Sequence, residues 1–95
     1  MSAFVQGVTG QWYRLDEKIS EGGFGDVYRA VRYNTNNTVA VKLLRDYRNW
    51  DALKRFRREV EVLHRLVIVG IIELLDYNLD AQPPFFVMPY MSGGT

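Results

Sequence analysis

Cysteine is absent from the 95-residue sequence, and histidine occurs once, at His64. The lack of cysteine excludes a disulfide framework, a thiolate metal site and a cysteine nucleophile. A single histidine cannot build a histidine-rich metal cluster. We therefore expect a fold that depends on packing alone and a chain without a metal site.

An excess of charge of either sign is also absent. Lysine and arginine number 12 and aspartate and glutamate number 11, which leaves a net charge of +1. Dedicated nucleic-acid-binding proteins carry a basic patch or stripe that this balance does not indicate. No apolar run reaches the roughly 18 residues of a membrane span, and residues 1–10 lack the pattern of a secretory signal. We expect a cytoplasmic protein with no nucleic-acid partner and no membrane segment.

The first half of the chain has the pattern of three strands. With 47% hydrophobic residues, 95 residues suffice for one small core. Residues 12–20 and 26–33 are strand-like and flank a glycine-rich turn, which predicts a hairpin. Turn-forming residues then precede a β-branched segment at 38–44. Alternation along this third strand places Lys42 on the face of Ala40 and Leu44, and Val41 on the other face.

Residues 51–66 change to the periodicity of an amphipathic helix. Its apolar positions recur at intervals of three and four residues: Leu53, Phe56, Val60 and Leu63. Asp51 is placed to be the N-cap or a first-turn acid. At 100° per residue, Glu59 lies at the edge of the apolar stripe and Glu61 faces water.

The remainder of the chain predicts two further strands. Residues 67–75 are apolar with one glycine and would supply the fourth strand, residues 76–84 have the composition of a loop, and residues 85–88 would form the last strand. The expected fold class is α+β: a five-stranded antiparallel sheet with one main helix, in the order β-β-β-α-β-β.

The residues that could carry out chemistry are ambiguous when each is taken alone. Glycines between strands most often form only a turn, a strand lysine is usually solvated, and a glutamate at a helix edge is usually a rim residue. A glycine hairpin can also lay backbone N–H groups on phosphate oxygens. A dinucleotide-binding fingerprint would need a helix after the glycines, and a Walker A loop would need Gly-Lys-Ser/Thr. Neither pattern is present.

Taken together, four segments resemble the amino-terminal lobe of eukaryotic-type protein kinases, most closely the bacterial serine/threonine members. Residues 19–27 (ISEGGFGDV) are similar to the G-x-G-x-x-G-x-V loop, and residues 39–42 (VAVK) to the V-A-[IV]-K strand. Residues 56–60 (FRREV) resemble the helix that carries the ion-pair partner of the lysine, and residues 88–94 (MPYMSGG) resemble the gatekeeper and hinge. The resemblance implies an N-terminal extension at 1–11 and a kinase N-lobe at 12–95 that ends at the hinge.

The resemblance also implies an ATP site. Lys42 would contact phosphates while it pairs with Glu59, and these two would be the inherited catalytic pair. The implied nucleotide-binding residues are Ile19, Ser20, Gly22, Gly23, Gly25, Val27, Ala40, Lys42, Met88, Pro89 and Met91. Within this set the glycines would cover the phosphates, Ile19, Val27 and Ala40 would sandwich the adenine, and Met88 would be the gatekeeper.

The sequence departs from the family pattern at four places. Ser20 stands where the first loop glycine is usual, residues 68–70 (IVG) replace a His-Pro-Asn turn, and Pro89 replaces a hinge acid. The chain also ends before any H-R-D-x-x-x-x-N loop or D-F-G motif, as a truncated piece would. We therefore expect the parent to use ATP with Mg²⁺ and this chain alone to be inactive.

Loss of the larger lobe would expose apolar surface at the end of the helix and at residues 67–72. Such patches tend to be covered by another chain. The sequence thus predicts the missing C-lobe as a partner and a homo-oligomer in its absence. The alternative to a nucleotide-binding lobe is a truncated or redesigned, non-catalytic, self-associating β-rich module.

Overall fold

The structure is a computed structural model that describes residues 3–21, 25–70 and 73–90. Its elements are β1 (Ala3–Gln6), β2 (Trp12–Glu21), β3 (Gly25–Arg32), β4 (Thr38–Leu44), α1 (Trp50–Ile68), β5 (Asp76–Asn78) and β6 (Phe85–Pro89). The strands form one sheet in the order β1-β2-β3-β4-β6-β5, and every neighbouring pair is antiparallel.

The antiparallel sheet and the single main helix are confirmed, but the number of strands is wrong. The sheet has six strands because Ala3–Gln6, expected to be an extension, pairs with the start of β2. A strand of four residues carries too little alternation to be recognised from its sequence.

The position of the strand after the helix is also different from the expectation. Helix α1 continues to Ile68, and β5 lies at Asp76–Asn78, within the segment expected to be a loop. The polar composition of β5 suits a strand at the edge of the sheet, where apolar alternation is not required.

Helix α1 begins at a side-chain cap. Oδ1 of Asn49 accepts a 3.1 Å hydrogen bond from the backbone N–H of Ala52. Asn49 is therefore the N-cap, and Asp51 is the first-turn acid. Phe56 and Val60 are the buried residues of the helix, as the periodicity predicted.

The core lies on both faces of β4. Val39 and Val41 pack in one cluster with Tyr13, Ala30, Phe85 and Val87. Leu44 packs in a second cluster with Phe56, Val60 and Phe86, and this cluster holds the helix against the sheet. The predicted division of β4 into two faces is confirmed, because its alternate residues enter different clusters.

The loop after β1 connects the two edges of the sheet. The backbone N–H of Val8 donates to the carbonyl of Tyr77 at 2.8 Å, and Nδ2 of Asn78 donates to the carbonyl of Gln6 at 3.0 Å. Between these bonds Gly7 is buried, and a Cβ atom there would overlap the carboxylate of Asp76. The sheet is thus partly closed into a barrel by residues that precede β2.

No helix among residues 3–21, 25–70 and 73–90 is long and apolar enough to cross a membrane.

Candidate functional site

Lys42 and Glu59 form an ion pair between β4 and α1. Nζ of Lys42 donates to both carboxylate oxygens of Glu59, at 3.0 Å and 3.3 Å. The two side chains are 21% and 36% exposed, so the pair is accessible from solvent without being fully hydrated. The ammonium also lies 5.8 Å from the centre of the Phe86 ring, within the range of a cation–π contact.

Packing of the helix against the sheet brings this pair together. Glu59 precedes the buried Val60, and Phe56 one turn earlier lies 5.4 Å from Phe86, ring centre to ring centre. Phe86 is opposite Lys42 in the pairing of β4 with β6. The same contacts that seat the helix therefore place the carboxylate beside the ammonium.

The register of the sheet gathers several predicted site residues on the face of Lys42. Val27 is opposite Lys42 across β3 and β4, and Met88 is opposite Ala40 across β4 and β6. Directly opposed residues of antiparallel strands point to the same face. Val27, Ala40 and Met88 thus border the ion pair with apolar surface.

The remaining predicted site residues do not all lie on the face of Lys42. Ser20 pairs with Val27, but the register of β2 shifts between Lys18 and Ser20, and Ile19 in that shift is exposed. Pro89 lies opposite Val39, which belongs to the other face of β4. Gly22, Gly23 and Met91 lie outside the described residues.

Gly25 is required by the close approach of two strands. It begins β3 opposite Leu44, and a Cβ atom on it would overlap the carbonyl oxygen of Leu43. Any larger residue at this position would push β3 away from β4, the strand that carries Lys42.

Sequence reasoning missed a charged cluster beside Gly25. Asp26 is 7% exposed, and Nη1 of Arg45 donates to its Oδ1 at 2.6 Å. Nζ of Lys18 lies 3.7 Å from Oδ2 of Asp26 and 3.2 Å from Oε1 of Glu21. The hydrogen bond with Glu21 and the charge of Asp26 raise the pKa of Lys18. An acid directly after a glycine turn and an arginine directly after the next strand are the signal that could have indicated this cluster.

A second buried carboxylate, Asp76, was also missed. It is 3% exposed and accepts hydrogen bonds from the hydroxyls of Thr9 and Tyr13, at 2.6 Å and 2.8 Å, and from the backbone N–H of Tyr77 at 2.8 Å. Burial, followed by the hydrogen bond to Asp76 and its negative charge, raises the pKa of Tyr13 above its ordinary value. The carboxylate is satisfied within the fold and faces away from Lys42, so we assign it a structural role.

Acidic residues are not gathered into a metal site in the part of the chain that the structure describes. There, no group of three or more histidine, aspartate or glutamate side chains is placed to hold an ion.

The ion pair and the apolar residues beside it thus lie on one face of the sheet. The sequence profile of the protein kinase domain matches residues 13–95. The chain belongs to the protein kinase family. The match begins one residue after the start of β2, so β1 and the loop that closes the sheet precede it.

The protein kinase relatives include bacterial serine/threonine kinases. The chain is 38% identical over 84 residues to the DNA damage-responsive serine/threonine-protein kinase RqkA of Deinococcus radiodurans. That alignment covers 86% of this chain and 13% of RqkA. It is 34% identical over 85 residues to the serine/threonine-protein kinase PknD of Chlamydia trachomatis. That alignment covers 87% of this chain and 9% of PknD. The chain thus spans about an eighth or less of the length of these relatives.

A solved structure of another protein has the same fold. The structure of vaccinia related kinase 3 superposes with a TM-score of 0.57 at 16% sequence identity, over 94% of this chain and 30% of that chain. At this identity the likeness concerns the fold alone.

Proposed function

We propose that this chain is the ATP-binding lobe of a serine/threonine protein kinase, with residues 12–95 as the lobe and residues 1–11 as an N-terminal extension that adds β1 to its sheet. The observation that carries the proposal is the ion pair between Lys42 and Glu59, whose ammonium stays partly open to solvent. The bacterial serine/threonine kinases among its relatives support the substrate class, protein hydroxyl groups.

In this proposal the charges and the apolar border have separate tasks. Lys42 neutralises phosphate oxygens of ATP, and Glu59 holds its ammonium in place by accepting two hydrogen bonds. Val27, Ala40 and Met88 supply the apolar surface for the adenine. Backbone groups near Pro89 and Met91 would meet the adenine edge, and Gly22, Gly23 and Gly25 would cover the phosphates with Ser20 beside them.

Phosphoryl transfer itself needs residues that this chain does not provide. The sequence contains neither an H-R-D nor a D-F-G pattern, which in the family supply the base and the Mg²⁺ ligands. Mg²⁺ would neutralise the phosphates when it is bound with ATP. We propose that the chain binds the nucleotide in the cytoplasm and becomes active only with a second lobe.

A titration of ¹⁵N-labelled protein with ATP and Mg²⁺ tests the proposal. We expect chemical-shift changes at Val27, Lys42 and Met88, and a Lys42→Ala variant should bind at least about tenfold more weakly because a charge-assisted contact to phosphate is lost. Lys54→Ala is the matched control, since it removes one lysine from the exposed side of α1. Absence of shifts at millimolar nucleotide, or equal losses in both variants, would contradict the proposal.

A second candidate function is self-association, which the exposed end of α1 favours. Val67, Ile68 and Val69 are exposed apolar residues in succession, and Ile68 is 84% exposed. We propose that a second copy of the chain covers this segment when no larger lobe is present. Light scattering at a protein concentration of about 100 μM should give a mass above that of the monomer, because exposed apolar surface associates at micromolar concentrations. Ile68→Ser should restore the monomer, whereas a monomeric wild type would refute the proposal.

A further inference from the structure

The end of the β2–β3 hairpin is held by a charged network, which we call the hairpin clamp: Lys18, Glu21, Asp26 and Arg45. Glu21 and Asp26 are opposite each other in the register and are separated in the sequence by residues 22–25. Asp26 is also opposite Leu43 in the pairing of β3 with β4. The clamp therefore lies at the end of the hairpin, where β2 ends and β3 begins.

The burial of Asp26 makes its partners essential. A carboxylate that is 7% exposed loses most of its hydration and is tolerated only when cations and hydrogen bonds replace the water. Arg45 supplies the short contact of 2.6 Å, and Lys18 supplies a second positive charge at 3.7 Å. Lys18 is shared with the exposed Glu21, so the network carries two cations and two acids.

The clamp connects three strands. Lys18 belongs to β2, Asp26 to β3, and Arg45 directly follows β4. Arg45 is three residues from Lys42, and Val27, next to Asp26, is opposite Lys42. The ion pair between Asp26 and Arg45 thus ties the start of β3 to the end of β4, the strand that carries Lys42.

We infer that Asp26 is a positioning residue, which acts through Arg45 and Lys18 to hold the end of the β2–β3 hairpin, at residues 20–21 and 25–27, in position relative to Lys42. As far as ATP is concerned, this inference rests on the proposed function. Asp26 itself contacts no nucleotide. Its carboxylate restricts the movement of the hairpin end, so that Val27 stays opposite Lys42 in the register of β3 and β4.

Amide hydrogen exchange on the 95-residue chain tests the positioning role without any ligand. Asp26→Asn should speed exchange about tenfold at the amides of residues 20–21 and 25–27, while the core amides of Val41 and Val87 keep their rates, because only local opening becomes easier. Arg45→Gln should have the same effect. Asp26→Glu, which keeps the charge, should stay within about threefold of the wild type.

Glu17→Gln is the matched control. Glu17 is an acid on the same hairpin, and its side chain lies 3.4 Å from Arg29 with 58% exposure. The substitution changes the net charge as Asp26→Asn does, but it leaves the clamp intact. Equal acceleration in the control, or acceleration of the core amides together with those of the hairpin, would overturn the inference in favour of a general loss of stability.

ATP affinity provides the second measurement. If the wild type binds ATP, Asp26→Asn should weaken binding about three- to tenfold, and Asp26→Glu should restore it. Unchanged affinity in Asp26→Asn would overturn the inference. If the wild type binds no ATP, the proposed function fails, and hydrogen exchange alone decides whether Asp26 positions the hairpin.

Discussion

The hydroxyl of Tyr13 donates a 2.8 Å hydrogen bond to Oδ2 of Asp76, a residue 63 positions later in the chain. Tyr13 lies on β2 and Asp76 on β5, which are not neighbours in the sheet. Thr9 donates to the same carboxylate oxygen. One buried acid therefore joins the N-terminal segment, the first long strand and the strand at the opposite edge of the sheet.

Replacement of Tyr13 by phenylalanine should lower the free energy of unfolding by about 1–2 kcal/mol, because Asp76 loses a donor in a buried site. Urea denaturation at neutral pH measures this change. Tyr33→Phe is the control, since Tyr33 is exposed and its loss of a hydroxyl should have little effect. A loss of the same size in both variants would show that the bond to Asp76 contributes nothing.

The same tyrosine should make the fold sensitive to high pH. The pKa of Tyr13 is raised above its ordinary value of 10.0, chiefly by burial. Above pH 10 the unfolded phenol ionises while the folded one stays neutral, so the free energy of unfolding should fall as the pH rises. Below pH 10 both states are neutral, and this contribution is fully present. Denaturation curves between pH 8 and pH 11 should show a smaller decline in Tyr13→Phe, and an equal decline would contradict the prediction.

Gly7→Ala should detach the segment that closes the sheet. The new Cβ would overlap the carboxylate of Asp76, and overpacking of this kind costs about 1–3 kcal/mol. Limited proteolysis should then cut within residues 3–11 faster than in the wild type. Val8→Ala changes an exposed side chain in the same loop and should leave the cleavage rate unaltered.

Phe56→Ala should be the most damaging single change in the helix. Phe56 is fully buried and packs on Phe86, so truncation leaves a cavity that costs about 3–5 kcal/mol. In a chain of this size such a loss removes most of the stability. Val62→Ala on the exposed side of α1 is the control, and the far-ultraviolet circular dichroism of the two variants during thermal unfolding measures the difference.

Gly25→Ala should disturb the site without touching its charges. The added methyl group would meet the carbonyl of Leu43 and push β3 from β4, which costs about 1–3 kcal/mol. NMR shifts should spread from Val27 to Lys42 along the two strands. Gly10→Ala is a glycine control, because its Cβ would meet open space and only its positive φ of 90° opposes the change. Shifts confined to residue 25 and its neighbours would contradict the prediction.

Local pattern was sufficient for the main elements, whereas the pairing of Lys42 with Glu59 was expected only from the resemblance to protein kinases. Alternation placed Lys42 on one face of β4, and helical periodicity placed Glu59 beside the buried stripe of α1. The order and spacing of these residues then supported the resemblance to kinases. The periodicity failed for β1 and for β5. The first is too short to show a pattern, and the second is polar because it lies at an edge.

The sequence by itself thus determined the family, the helix and the longer strands, and it indicated which residues to propose for the site. Only the tertiary structure decided which charges are buried and what neutralises them. Asp26 meets Arg45 because β3 begins where β4 ends. Asp76 meets Thr9 and Tyr13 because the sheet curls until its edges approach each other. Such contacts depend on register and curvature between distant segments, and neither is encoded in the periodicity of any one segment.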